Sequence, residues 1–217
     1  MIKSEIRSII KNLLPKYEEI ERFHDKVIDA AVEKALAEFY NIVFLRSPLE
    51  LERYTKQFGY TSSLAVVQEA GTTLYYTEYP FMADGVTRVS TIPIPDKASG
   101  VRRISTIAQG GVSFYPMDSR EMDLIMAGSY TDFVTSKVGY VPRRTRIEYY
   151  NVPVAIIAAG VRADLLIPFS KFEETDTVLV PEITGDDGAG FTDRVLKILE
   201  SVRPVELFEN RQFEEGK

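Results

Sequence analysis

Apolar residues recur at helical spacing through the first quarter of the chain, and then the period changes. Ile2, Ile6, Ile9, Ile10, Leu13 and Leu14 share one side of a predicted helix over 2–14, which Pro15 stops or kinks. A longer helix is predicted from about Lys16 to Leu45. Its stripe is Ile20, Phe23, Val27, Ala31, Ala35 and Phe39, and pairs such as Glu18 with Arg22 and Lys34 with Glu38 support its outer face. At about 1.5 Å per residue it would run roughly 40 Å, long enough to lean on something beyond one small core. Ser47-Pro48-Leu49-Glu50 reads as a capped helix start, with Ser47 as the cap and Gly59 ending the helix after Phe58.

From Tyr60 onward the pattern favours strands. Leu64–Gln68 and Thr73–Tyr79 flank Glu69-Ala70-Gly71 as a hairpin. Val101–Ile107 and Val112–Tyr115 flank Gly110-Gly111, and Lys137–Val141 and Arg144–Tyr150 flank the next turn. Val152–Ala159 and Ala163–Pro168 are apolar enough for buried strands, with Gly160 as a bulge or turn, and Val178–Val180 suits a last short strand. Asp118-Ser119-Arg120-Glu121 is a capping-box pattern opening a short helix that Gly128 closes. Gly-rich 183–190 reads as a loop, and Thr192–Val202 as a helix with Val195, Ile198, Leu199 and Val202 on its apolar face.

The order predicts an α+β protein. Long N-terminal helices precede a mainly antiparallel β-sheet or small barrel with one inserted short helix, and a C-terminal helix follows. Divided by element type, 1–58 is an N-terminal helical arm, 59–190 a β-rich domain, and 191–217 a C-terminal helix with an acidic tail. The tail is expected to order only on a partner.

Composition narrows the chemistry. The 217 residues contain no cysteine, which excludes disulfides, thiolate metal ligands and a cysteine nucleophile. The N-terminus does not read as a signal peptide, and no apolar run approaches the roughly 20 residues that span a bilayer, so no membrane association is expected. The net charge of −6 argues against free nucleic-acid binding as the first reading. Charge is uneven, with nine basic and six acidic residues over 85–150 against seven and thirteen over 151–217. Such asymmetry can steer one copy onto another or onto a charged partner, although differently solvated faces are the simpler explanation.

No catalytic or metal-binding constellation stands out, and neither a cofactor nor an enzymatic activity is expected. The single histidine, His24, follows Phe23 on the long helix without local partners for a triad or a zinc site. Both residues read as helix-surface or subunit-contact positions. Asp186 and Asp187 lie in a glycine-rich loop that could hold a hard cation, which leaves a metal-dependent hydrolase or nucleotide-handling enzyme as an alternative. The phosphate-loop and calcium-loop patterns are both incomplete there, however, and a flexible turn accounts for the same residues. Arg102, Arg103, Arg143, Arg144 and Arg146, with Tyr149 and Tyr150, have the composition of a protein interface, which the acidic balance favours over single-stranded nucleic-acid binding, or of cross-strand pairing on an exposed face. In each of Tyr75-Tyr76 and Tyr149-Tyr150 one ring is expected in the core and the other at the surface. A monomeric interaction domain is therefore a further alternative.

Four segments carry a resemblance. They are Pro48-Leu49-Glu50-Leu51-Glu52-Arg53-Tyr54-Thr55-Lys56, Ile94-Pro95-Asp96-Lys97-Ala98-Ser99-Gly100-Val101-Arg102-Arg103-Ile104, Phe114-Tyr115-Pro116-Met117-Asp118 and Arg146-Ile147-Glu148-Tyr149-Tyr150-Asn151. In this order behind a long helix, the chain resembles the ring proteins between portal and tail in crAss-like bacteriophages. The resemblance covers the long helix to about Phe169 and implies a homo-oligomeric head–tail connector, typically of twelve copies. Such a ring continues the portal channel, touches portal and tail proteins and passes DNA through its lumen on genome ejection. It also implies a virion protein assembled in the host cytoplasm, and it supplies no catalytic residues.

Overall fold

The computed structural model describes residues 1–14, 24–82, 85–107, 112–121, 138–180 and 190–201. The expected helix start at Lys16, the turn at Gly110-Gly111, the helix end at Gly128, the 183–189 loop and the acidic tail lie outside them. By internal packing the chain forms two compact units. One joins the ends of the chain, Met1–Ile42 and Phe172–Lys217, and the other is Val43–Lys171.

In the first unit, α1 (Lys3–Leu13) buries Ile6 and Ile10, and Leu14 follows it into the core, while Ile2 and Ile9 of the expected face are half-buried and Leu13 is exposed. Glu5 accepts the Ile2 backbone N–H at 3.0 Å and so satisfies a donor that the helix leaves orphaned at its start. Where α1 begins, Met1 and Lys3 form backbone hydrogen bonds with Val178 and Asp176, and Ile2 bridges Thr177. The bridge falls at Thr177, just ahead of Val178–Val180, which forms no strand. The helix α2 (Asp25–Arg46), whose residues 43–46 belong to the second unit, buries Ile28, Ala31, Val32, Ala35, Leu36 and Tyr40 in the first and Val43 in the second. Of the expected stripe, Ala31 and Ala35 are buried, Val27 and Phe39 are only half-buried, and Ile20 and Phe23 lie outside the described residues, so the buried face is centred one ridge over. A last helix, α3, spans 191–201 and buries Phe191, Val195, Ile198 and Leu199.

In the second unit Pro48–Tyr54 is a 3-10 helix in which Ser47 makes no side-chain cap. The chain then becomes strand β1 (Lys56–Phe58), not a continued helix to Phe58. The remaining strands are β2 (Val67–Gln68), β3 (Tyr75–Glu78), β4 (Val101–Thr106), β5 (Tyr115–Pro116), β6 (Gly139–Pro142), β7 (Arg146–Tyr150) and β8 (Val161–Leu165). They make two open sheets. One is antiparallel, in the order β1-β8-β4. The other has the order β2-β3-β7-β6-β5 and is antiparallel except for the β5–β6 pair. The architecture is α+β, and the sheets do not close into a barrel. The two sheets touch through the Tyr140 hydroxyl, which donates to Val101 O at 2.9 Å, and through Phe114 N, which donates to Ile104 O at 2.8 Å.

The largest departure is at 152–159. The expected buried strand is a short helix, Val154–Ala159, with no fully buried residue. Pro153 supplies the fixed φ of a helix entry and the alanines favour helix. Gly160, at φ +80°, ends the helix where a side chain would strike Leu64 O at 2.6 Å. The capping box at Asp118 forms as its sequence predicts. Asp118 Oδ1 accepts from Arg120 N and Glu121 N, both at 2.9 Å, and Glu121 Oε2 accepts from Asp118 N at 3.0 Å.

Candidate functional site

The structure separates the arginines that the sequence groups together. On β4 the register slips between Val101 and Arg103, so Arg102 is the bulged residue. Its guanidinium is largely buried near the Phe44 ring. It donates to Asp96 Oδ2 at 2.6 Å and to Ser99 O at 3.3 Å, bracing the turn before the strand. Arg103, its neighbour, is exposed and stands opposite Asp164 of β8.

Arg143 and Arg146 converge on one carboxylate. Glu148, on β7, is 6 % exposed. It accepts from Arg143 Nε at 2.8 Å through one oxygen and from Arg146 Nε at 3.0 Å through the other. Arg146 also donates to Glu69 Oε1 at 2.9 Å and lies 4.8 Å from the centre of the Tyr76 ring. Its side-chain hydrogen bonds to Glu69 and Glu148 hold the guanidinium above its ordinary range. Arg143 reaches Ser119 Oγ at 2.8 Å. Two arginines and two glutamates therefore pin the 143–145 turn and one face of the sheet, and exposed Arg144 lies within that turn. The strand period explains the convergence, since residues two apart on β7 share a face.

The tyrosines depart from the one-in, one-out expectation. Tyr149 is 1 % exposed and Tyr150 9 %, so both rings are core. Tyr149 meets Phe114 edge-on at 5.6 Å. Tyr150 packs with Met117, Val141 and Leu74. Burial pushes the phenols of Tyr140 and Tyr149 well above their ordinary range. Tyr75 and Tyr76 are both half-buried.

In the other unit His24 is exposed just ahead of α2, and its carbonyl accepts the N–H groups of Val27 at 2.8 Å and Ile28 at 3.3 Å. Phe23, Asp186 and Asp187 lie outside the described residues. Buried Asp29 is gripped by Arg7 and has Lys3 Nζ 3.6 Å away, and Arg7 also pairs with Glu174. Hydrogen bonding to Asp29 raises the Arg7 guanidinium far above its ordinary range.

Sequence reasoning missed Glu148, Asp164 and Tyr60. Asp164 is 6 % exposed and accepts the Tyr60 hydroxyl at 3.0 Å. The available signals were a glutamate two residues from an arginine on a strand, and a lone acid inside an apolar run. Among the described residues no three His, Cys, Asp or Glu side chains gather as metal ligands, and no helix is long and apolar enough to cross a membrane. No family model matches the chain, and no curated protein or solved structure matches it.

Proposed function

We propose that this chain is a virion structural protein of crAss-like bacteriophages, forming a homo-oligomeric ring between portal and tail that lines the DNA ejection channel. The four resembling segments carry this reading. The geometry adds one observation that supports it: Leu45 and Leu49, flanking Ser47-Pro48 at the start of the first of those segments, are 80 % and 77 % exposed. Two large aliphatic side chains this exposed at neighbouring positions suit a surface that another chain covers. Arg143 and Arg146 are taken up by Glu148 and Glu69 within the fold, so this reading gives them a structural role.

The experiment is the native mass of the purified full-length chain, alone and mixed with its portal protein. A closed assembly of many copies, or binding to the portal ring alone, is the expected outcome. A stable monomer of 24.5 kDa that ignores the portal overturns the reading.

A further inference from the structure

Residues 152–161 are the chain's longest run without a polar side chain, yet no residue of the helix Val154–Ala159 within it is buried. Val154 is 80 % exposed, Ala155, Ala158 and Ala159 are exposed, and Ile156 and Ile157 are half-buried. Backbone hydrogen bonds fix the helix at both ends. Pro153 O accepts from Ile156 N at 2.9 Å and from Ile157 N at 3.3 Å. Gly160 N donates to Ile156 O at 2.8 Å, and just beyond it Val161 and Leu64 exchange two bonds, each 2.9 Å long. An apolar element so exposed and so well anchored can be covered with little ordering cost.

Its size and its lack of charge narrow what covers it. Six helical residues span about 9 Å. That is too little for the area of about 800 Å² per partner that a stable pair buries, so the helix suits one contact among several and not an isolated dimer. With no basic residue from 152 to 161, it has nothing to offer a phosphate or an anionic lipid surface. A ring closed by rotation needs two different patches on every copy. The second lies where α2 passes into the 3-10 helix. Ser47 N donates to Val43 O at 2.7 Å and Glu50 N to Ser47 O at 3.0 Å, fixing a corner on which Leu45 and Leu49 are 80 % and 77 % exposed between exposed Arg46 and Glu50. We propose that the Val154–Ala159 helix of one copy seats on the Leu45–Leu49 corner of the next. The inference rests on the ring reading and names its contact. An uncharged knob brings no unpaired charge into an apolar centre with polar edges. Both patches belong to the compact unit Val43–Lys171, so the angle between them is the same in every copy, as closure requires.

The chain has no cysteine, so a thiol cross-link reports only on positions chosen for it. Full-length Val154→Cys and Leu49→Cys copies, distinguished by tags and co-expressed with the portal protein, are treated with a short bis-maleimide. The native mass of the natural chain is read beside them. A product joining 154 of one copy to 49 of another is expected, well above that from Leu49→Cys with Val86→Cys, whose natural residue is apolar and 81 % exposed. An assembly that forms but gives no more 154–49 product than the 49–86 pair overturns this contact and leaves the ring reading standing. So does a Val154→Cys copy that links mainly to its own kind, the mark of a two-fold contact, or mainly to the portal protein. A natural chain that stays monomeric and ignores the portal overturns both.

Discussion

The Tyr140 hydroxyl on β6 donates to the Val101 carbonyl on β4 at 2.9 Å, a hydrogen bond that joins the two sheets at a buried point. The ring is 1 % exposed, so water cannot replace the donor if it is removed. Tyr140→Phe is expected to keep the packing and orphan the carbonyl, costing about 1–2 kcal/mol. Urea unfolding followed by circular dichroism measures it, with a lowered midpoint and an unchanged slope as the expected pattern.

Glu148 makes a sharper case, because one carboxylate satisfies two guanidiniums. Glu148→Ala leaves Arg143 and Arg146 without their shared acceptor. Both guanidiniums are partly exposed and can swing toward water, so the cost falls below that of a fully buried pair, at about 2 kcal/mol. Glu148→Gln keeps one acceptor oxygen and the shape, and is expected to lose less. Thermal unfolding of the two variants side by side checks the order. Equal losses would mean that the carboxylate charge shared by the two arginines, not the packing that glutamine retains, holds this face.

Two glycines with nearly the same backbone separate strain from space. Gly59 and Gly71 have φ of +80° and +79°. A Cβ at Gly59 would collide with Val161 O at 2.6 Å, whereas nothing lies within 4 Å at Gly71. Gly71→Ala is expected to cost the left-handed backbone alone, about 1–2 kcal/mol. Gly59→Ala should cost clearly more, since the obstacle is backbone that cannot rotate away. Denaturant melts of both variants decide it, and equal losses would contradict the close approach.

Much of the fold was legible where one period dominates. The Asp118 capping box, the faces of α1 and α3, and the β2–β3 and β6–β7 hairpins follow from local pattern alone. The misses have specific causes. An eight-residue apolar run such as 152–159 fits a short helix as well as a strand, and neither Pro153 nor Gly160 distinguishes them. The α2 helix has apolar residues on two adjacent ridges, so its sequence admits both the Val27–Phe39 stripe and the Ile28–Tyr40 face that packing selects. The candidate site was less legible. The bulge that turns Arg102 from its neighbour depends on the register of β4 against β8. The Tyr60–Asp164 contact joins residues 104 positions apart, which no local window contains.

Leu45 and Leu49 bear directly on the assembly proposal. At 80 % and 77 % exposure they contribute little to the core, unlike their buried neighbours Val43 and Leu51. Surface substitutions of this kind usually stay within about 0.5 kcal/mol of the natural stability. The double variant Leu45→Glu, Leu49→Glu is therefore expected to fold with an unchanged melting temperature. In an assembly that covers these side chains, two buried and unpaired carboxylates would be prohibitive, because desolvating a charge without a partner costs several kcal/mol. Native mass spectrometry beside a melting curve reads both effects at once. An intact melt with loss of every species above 24.5 kDa places the covered surface at these residues. An intact melt with assembly undiminished moves the interface elsewhere on the chain. A lowered melt would mean that the two leucines belong to the fold and say nothing of a neighbour, so the stability readout is what makes the mass readout interpretable.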